Sequence, residues 1–205
     1  MFDNFVKQMA TRDTGTEQLI KDTAKRIFFA EGKLHATTQD IADAAGISRT
    51  SLHYYYRSKD ELIKLVFNEA MDALSSRLND IMESAIPFRE KIEHMVDVIL
   101  TEAIAYPYQE TFVITEMLSD SSSFYEKKAK SHRHTNAFLK EVEAEMTVGH
   151  VKAMNPVQFM MNLFSLTTYP LIVRPLQKKL FKLTDKQYDH LMNERKKLIC
   201  DLIFQ

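Results

Sequence analysis

The fold is decided by residues 37–63, which read TTQDIADAAGISRTSLHYYYRSKDELI. Three hydroxyl residues in this stretch each precede a short run with helical spacing, and each can accept hydrogen bonds from the free amides of a helix N-terminus. They are Thr38, Ser48 and Ser58. Gly46 lies between the first two runs and suits a tight turn, because glycine tolerates positive φ. The stretch therefore predicts two short helices joined by a turn and followed by the start of a third.

The second short helix, over about residues 49–55, carries polar side chains and a local positive charge. Between Ala44 and Lys59 the sequence contains no acidic residue, while Arg49, Arg57 and Lys59 are cationic. Residues 1–62 as a whole are balanced, with 9 basic and 9 acidic residues. A positive patch on a neutral domain is the charge distribution that binding to nucleic-acid phosphates requires.

The composition of the whole chain narrows the class of protein. Its 205 residues carry a formal net charge of −1, so binding to nucleic acid through bulk positive charge is excluded. With 4 glycines, 5 prolines and no convincing strand pattern, the chain is predicted to be all-α. The single cysteine, Cys200, excludes an intramolecular disulfide and a cysteine-based zinc cluster. Since no run of 18 apolar residues and no apolar signal segment occurs, we expect a cytoplasmic protein without membrane contact.

Apolar periodicity extends the helical prediction over the rest of the chain. The first helix is predicted from Thr16 to Gly32, ahead of the stretch quoted above. Pro170 and Pro175 are expected to kink the helix that begins after Asn155. Further helices are predicted over about 59–84, 88–105, 107–118, 123–146, 156–182 and 185–204. We expect two domains, comprising residues 1–62 and 63–205.

The chain resembles the TetR-type transcriptional regulators over residues 17–63. The quoted stretch matches the family pattern of Thr, Ile-Ala, Ala-Gly, Ser, a Leu-Tyr-Tyr stretch and Ser-Lys-Asp/Glu-x-Leu, and IKDTAKRIFFAEG at residues 20–32 matches its first helix. Two positions depart from the pattern, since His53 stands where the family usually has Tyr and Tyr56 where it usually has Phe. The resemblance implies an N-terminal three-helix helix-turn-helix domain followed by a larger helical domain for effector binding and dimerisation.

The same resemblance implies a sequence-specific DNA-binding transcriptional regulator, a repressor that a small hydrophobic or amphipathic effector releases from DNA. Helix 49–55 would enter the major groove of double-stranded DNA at a palindromic operator, with Arg49 reading guanine O6 and N7. The other implied contacts are made to bases or phosphates. The implied DNA-binding residues are Thr38, Ser48, Arg49, Thr50, Ser51, His53, Tyr54, Tyr55 and Lys59.

The C-terminal helices are expected to dimerise and to bind the effector. The last two, predicted over 156–182 and 185–204, have wide apolar faces, and a homodimer is expected because one short recognition helix makes too few contacts alone. The 11 methionines and 13 phenylalanines could line an adaptable apolar pocket or form ordinary core. The expected effector-binding residues are Met95, Ile99, Tyr106, Phe112, Met117, Phe124, His134, Phe138, Met161, Phe164, Ser165 and Tyr169.

Two other classes of protein compete with a regulator. An enzyme would need converging nucleophile, base or metal groups, and neither an HExxH nor a GxSxG motif occurs, so we expect none. His132 and His134 point about 200° apart on a helix, so we expect neither a metal site nor a cofactor. A helical module that binds a small ligand or a protein, without DNA-binding activity, is the alternative, and the patch of Arg49 and Lys59 argues against it.

Overall fold

The computed structural model describes residues 14–118 and 132–204, in which helices are joined by turns and one isolated bridge pairs Val151 with Phe204. The predicted all-α class is confirmed. Two compact units divide the chain between Met71 and Asp72. This division lies further along a helix than the boundary at 62/63 expected from the sequence. Within the described ranges, no helix is long and apolar enough to cross a bilayer.

The N-terminal unit contains the three helices of the quoted stretch and the helix before them. They are α1 (Thr14–Lys25), α2 (Thr38–Ala45), α3 (Arg49–Tyr55) and the first part of α4 (Lys59–Glu83). A π-helical turn, Arg26–Ala30, prolongs α1. The core of this unit comes from apolar residues at three- and four-residue spacing, including Ile20, Ala24, Phe28, Ile41 and Leu52, all 0% exposed. Burial of each large side chain stabilises the fold by about 1.5–3 kcal/mol.

The start of α2 differs from the prediction by one residue, because Thr37 and not Thr38 caps it. The Asp40 amide donates to Thr37 Oγ1 at 3.2 Å, and the Thr37 amide donates to the Asp40 carboxylate at 2.7 Å. This reciprocal capping box, chiefly the Thr37 amide, holds the pKa of Asp40 below its ordinary value. A cap at Thr38 would put Ile41 in the reciprocal position, and isoleucine offers no acceptor.

The other predicted caps and the turn are confirmed. The Ser51 amide donates to Ser48 Oγ at 3.0 Å at the start of α3. Gly46 ends α2 with a φ of 69°, the left-handed conformation that glycine adopts without strain. At the start of α4, the Glu61 amide donates to Ser58 Oγ at 3.1 Å. The local chemistry of the chain therefore fixes where these short helices begin and end.

The described part of the C-terminal unit is a helical bundle around one apolar core. After the end of α4 its helices are α5 (Phe88–Ala105), α6 (Gln109–Leu118), α7 (His132–Val148), α8 (Pro156–Ile172), α9 (Arg174–Leu180) and α10 (Asp185–Ile203). At the centre, the ring of Phe88 lies 5.8 Å from that of Phe138 and 6.0 Å from that of Phe159, measured between centroids. The bundle is therefore held by contacts between α5, α7 and α8, to which α10 adds its buried side.

Three predicted helices of this unit have different bounds, and the one predicted over 107–118 begins at Gln109. The helix predicted over 156–182 is divided at Val173 into α8 and α9, with Pro175 in the first turn of α9, where its missing amide costs nothing. The hydroxyl of Tyr188 on α10 donates to the Pro170 carbonyl near the end of α8. The helix predicted over 123–146 is described from His132 to Val148, and residues 119–131 lie outside the described ranges.

Candidate nucleic-acid interface

α3 turns one apolar side inward and leaves its other sides to solvent. Leu52 is fully buried, and Tyr56, directly after the helix, is 5% exposed and donates its hydroxyl to Glu17 Oε1 at 3.2 Å. Arg49 and Thr50 are exposed. Ser48, the cap of α3, is exposed as well, while Ser51 and His53 are half-buried. α3 is thus anchored through its apolar side and offers a polar, cationic surface.

Arg49 and His53 are paired along this surface. Arg49 Nε donates to His53 Nε2 at 3.3 Å, across one turn of α3. His53 Nε2 is the acceptor of this hydrogen bond. The four remaining N–H donors of the guanidinium have no partner within the described residues, which leaves its terminal fork available for guanine O6 and N7.

Two tyrosines follow at the C-terminal end of α3. Tyr54 is 67% exposed and Tyr55 is half-buried. Their ring centroids lie 5.3 Å apart and the ring planes are nearly perpendicular, at 89°, which is a favourable edge-to-face contact. Tyr55 thereby supports Tyr54, whose phenol is exposed to solvent.

Two further predicted contact residues lie at the ends of neighbouring helices. Thr38 is half-buried in the first turn of α2. Lys59, the first residue of α4, is half-buried and donates from Nζ to the carbonyl of Leu34 at 3.0 Å. This contact could not be predicted from the sequence, because it joins residues 25 positions apart whose approach depends on the tertiary fold.

An open pocket of about 610 Å³ lies beside α1 and α2 in the same unit. Its lining comprises Arg26, Ile27, Glu31, Lys33, His35, Ala36, Asp40 and Ala44. Glu31 bonds to Lys33 at 2.8 Å and also to Arg26, and these contacts, the Lys33 hydrogen bond first, lower the pKa of its carboxyl. Glu31 of the pocket is therefore paired with Lys33 and Arg26, while Asp40 bonds to Thr37 in the capping box of α2.

The predicted effector-binding residues separate into inner and outer sets. Met95, Ile99, Phe112 and Phe138 are buried, while Tyr106 and His134 are half-buried, with His134 Nδ1 contacting the Glu83 carboxylate. Phe124 and the side chain of Met117 lie outside the described part of the chain. The four residues on α8 are exposed: Met161, Phe164, Ser165 and Tyr169.

The exposed position of the four α8 residues follows from the side of the helix on which they lie. Phe159, Leu163 and Thr167, at four-residue spacing, occupy the buried side of α8. Because a helix turns about 100° per residue, Met161, Phe164 and Ser165 cannot share that side. The structure therefore brings the buried predicted residues into the bundle and places the α8 set on its surface. Among the described residues, no cluster of three His, Cys, Asp or Glu could hold a metal ion.

Comparison with known proteins identifies the N-terminal unit. Residues 20–66 match the family model described as bacterial regulatory proteins, tetR family. The chain is 30% identical over 83 residues to the HTH-type transcriptional repressor KstR2 of Rhodococcus jostii, covering 40% of this chain and 41% of that protein. It thus spans less than half the length of that relative. It is also 23% identical over 130 residues to the nucleoid occlusion factor SlmA of Vibrio vulnificus, covering 63% of each protein.

The fold of the chain has solved relatives. The ketosteroid transcriptional regulator KstR2 of Mycobacterium tuberculosis superposes with a TM-score of 0.68, at 16% identity, over 95% of this chain and 97% of that one. At this identity the likeness establishes the fold alone. The family match lies in the N-terminal part of the chain, at residues 20–66, where the resemblance over residues 17–63 predicted it. The N-terminal unit of the chain is therefore similar, over residues 20–66, to the tetR family of bacterial regulatory proteins.

Proposed function

We propose that this protein is a sequence-specific DNA-binding transcriptional regulator, a repressor that a small hydrophobic or amphipathic effector releases from its operator. The observation that carries the proposal is the exposed polar surface of α3, with Arg49 at its start, in a domain that matches the tetR family. Because this match ends at residue 66, the regulatory role of the whole chain rests on the features of the C-terminal unit described next.

A homodimer through α8 and α10 is the proposed form that binds DNA. These helices pack together, and Arg195 Nε on α10 donates to the Leu166 carbonyl on α8 at 2.7 Å. Both helices also expose large apolar side chains at helical spacing, each at least 40% exposed: Val157, Met161, Phe164, Leu191, Leu198 and Leu202. Such adjacent stripes, left open to water, fit a four-helix interface with a second copy.

A dimer supplies the second set of DNA contacts that the proposal needs. Two copies of α3 fit successive major grooves when they lie about 34–36 Å apart, one turn of the duplex. An effector that binds better to a form with different spacing lowers DNA affinity, with a coupling free energy of about 1–3 kcal/mol. The buried predicted residues of α5 and α7 are proposed to line the effector site. The position of this site stays a prediction.

The test is fluorescence anisotropy on duplexes from the region flanking the gene, compared with random duplexes at a fixed salt concentration. Arg49→Ala is expected to weaken specific binding by about 1–3 kcal/mol and to leave random binding nearly unchanged, because it removes a base contact. Arg57→Ala is the matched control, since Arg57 is an exposed arginine two residues beyond α3.

Two outcomes contradict the proposal in different ways. Equal loss of affinity for specific and random duplexes in Arg49→Ala would remove this residue from base readout. A wild-type protein that prefers no duplex over random DNA would refute the regulator and favour the helical binding module without DNA-binding activity.

A further inference from the structure

We propose that Arg195 is a positioning residue of the homodimer interface, which it aligns by donating to a backbone carbonyl of α8 that Pro170 leaves without its helical donor. The inference rests on the proposed homodimer. Arg195 is half-buried on α10, and its Nε donates to the Leu166 carbonyl on α8 at 2.7 Å. The bond therefore joins the two helices that make up the proposed interface.

Pro170 explains why this carbonyl accepts a side chain. In a regular α-helix the Leu166 carbonyl would accept the backbone amide of residue 170, four positions later. Residue 170 is a proline inside α8, and proline has no amide hydrogen. The Arg195 guanidinium thus supplies a donor in place of the missing amide.

Arg195 also lies within the exposed apolar stripe of α10. Leu191, Leu198 and Leu202 form this stripe, and at 100° per residue all three lie within about 60° of Arg195 around the helix axis. A single polar residue within an apolar helix interface fixes the alignment of the helices, at a cost in stability. Because its Nε is bonded to α8, the guanidinium of Arg195 has a defined place in the stripe.

A second hydrogen bond joins the same two helices close to the proline. The hydroxyl of Tyr188 donates to the Pro170 carbonyl, and Tyr188 lies seven residues before Arg195, about two turns along α10. Tyr188 is 2% exposed and belongs to the core of the bundle. Arg195 is the member of this pair that reaches the exposed stripe, so its effect on the interface can be measured separately.

The test compares two variants that differ in the donor at one atom. In Arg195→Gln the side-chain amide nitrogen takes the place of Nε, in Arg195→Met a methyl carbon takes it, and neither variant keeps the charge. The dissociation constant of the dimer is measured by sedimentation equilibrium. We expect Arg195→Met to dissociate about fivefold more readily than Arg195→Gln, as for the loss of one hydrogen bond. Burial of apolar surface alone predicts the opposite order, because methionine is the more hydrophobic residue.

Pro170→Ala provides the background that isolates the mechanism. Alanine restores the amide that donates to the Leu166 carbonyl, so the difference between Arg195→Met and Arg195→Gln is expected to disappear. Lys197→Met is the matched control, since Lys197 is exposed on the opposite side of α10, and it is expected to leave the dissociation constant unchanged. Urea unfolding of the same variants reports separately whether the hydrogen bond stabilises the fold.

The outcomes are distinct. A fivefold difference that disappears in the Pro170→Ala background supports the proposal. Equal dissociation constants for Arg195→Met and Arg195→Gln would overturn it, even if their urea midpoints differ, because the role would then be purely structural. A difference that persists in the Pro170→Ala background would overturn it as well. A monomeric wild-type protein would refute the proposed homodimer and this role of Arg195 together, while the urea midpoints would still show whether the bond forms.

Discussion

The pair formed by Lys91 and Glu141 is expected to govern the stability of the C-terminal unit. Lys91 is only 5% exposed, although it carries a charge. Its Nζ donates to both carboxylate oxygens of Glu141 at 2.8 Å and to the Met82 carbonyl at 3.1 Å. These bonds join α5 to α7 and to the end of α4, so loss of the pair would loosen three helices at once.

The two partners are not equivalent, and their exposure sets the expected magnitudes. The side chain of Lys91 is 6% exposed and that of Glu141 is 32% exposed. Glu141→Leu leaves a buried ammonium group without its counterion, which is expected to reduce the free energy of unfolding by about 3–5 kcal/mol. Lys91→Met leaves a carboxylate that can reach water, so its cost is expected to be smaller, about 1–3 kcal/mol.

Urea unfolding of the two single variants and the double variant at pH 7 and one protein concentration measures these values. The protein concentration is held fixed because the measured stability of a dimer depends on it. The double variant is expected to be more stable than Glu141→Leu alone, since it buries no unpaired charge. Strictly additive losses, or a Glu141→Leu variant no less stable than Lys91→Met, would contradict the reasoning.

Three other variants test separate parts of the account. Gly46→Ala is expected to lower the free energy of unfolding by about 1 kcal/mol through backbone strain at its φ of 69°. No atom lies within 4 Å of the added methyl, so no steric clash contributes. A loss near zero in thermal unfolding would refute this expectation. Burial raises the pKa of Glu110, so ionisation of this carboxyl destabilises the folded state as pH rises. Glu110→Gln should therefore be more stable than wild type at pH 7, and the difference in urea midpoint should vanish near pH 4. A difference that does not depend on pH would contradict this role of Glu110. Leu198→Glu should yield monomers in sedimentation velocity while Leu176→Glu, at a similarly exposed leucine outside α8 and α10, should not; an intact dimer in Leu198→Glu would refute the interface.

Features determined by local chemistry were predicted from the sequence. Gly46, the Ser48 cap and the bounds of α5 at 88–105 follow from neighbouring residues, and the structure confirms them. The cap of α2 is also determined locally. Which of the two adjacent threonines, Thr37 or Thr38, forms it depends on which one has an acceptor side chain three residues later. Asp40 fills that place for Thr37, which explains the shift of one residue.

Features determined by tertiary packing could not be predicted in this way. Periodicity shows that α8 is apolar on more than one side, but not which side meets the bundle. Phe159 and Leu163 are buried, whereas Phe164, one residue further, is 40% exposed. The contact of Lys59 with Leu34 likewise depends on the fold, and the sequence could only suggest a surface cation.

The proposed function requires that the exposed surface of α3 reads base edges in a duplex. Selection of bound sequences from a pool of random duplexes, with the wild-type protein and Arg49→Ala in parallel, tests it most directly. We expect the wild type to enrich two inverted half-sites whose centres lie about one helical turn, or a multiple of it, apart, and Arg49→Ala to lose the preference at a guanine within them. Enrichment of the same motif by both proteins, or of none by the wild type, would contradict it.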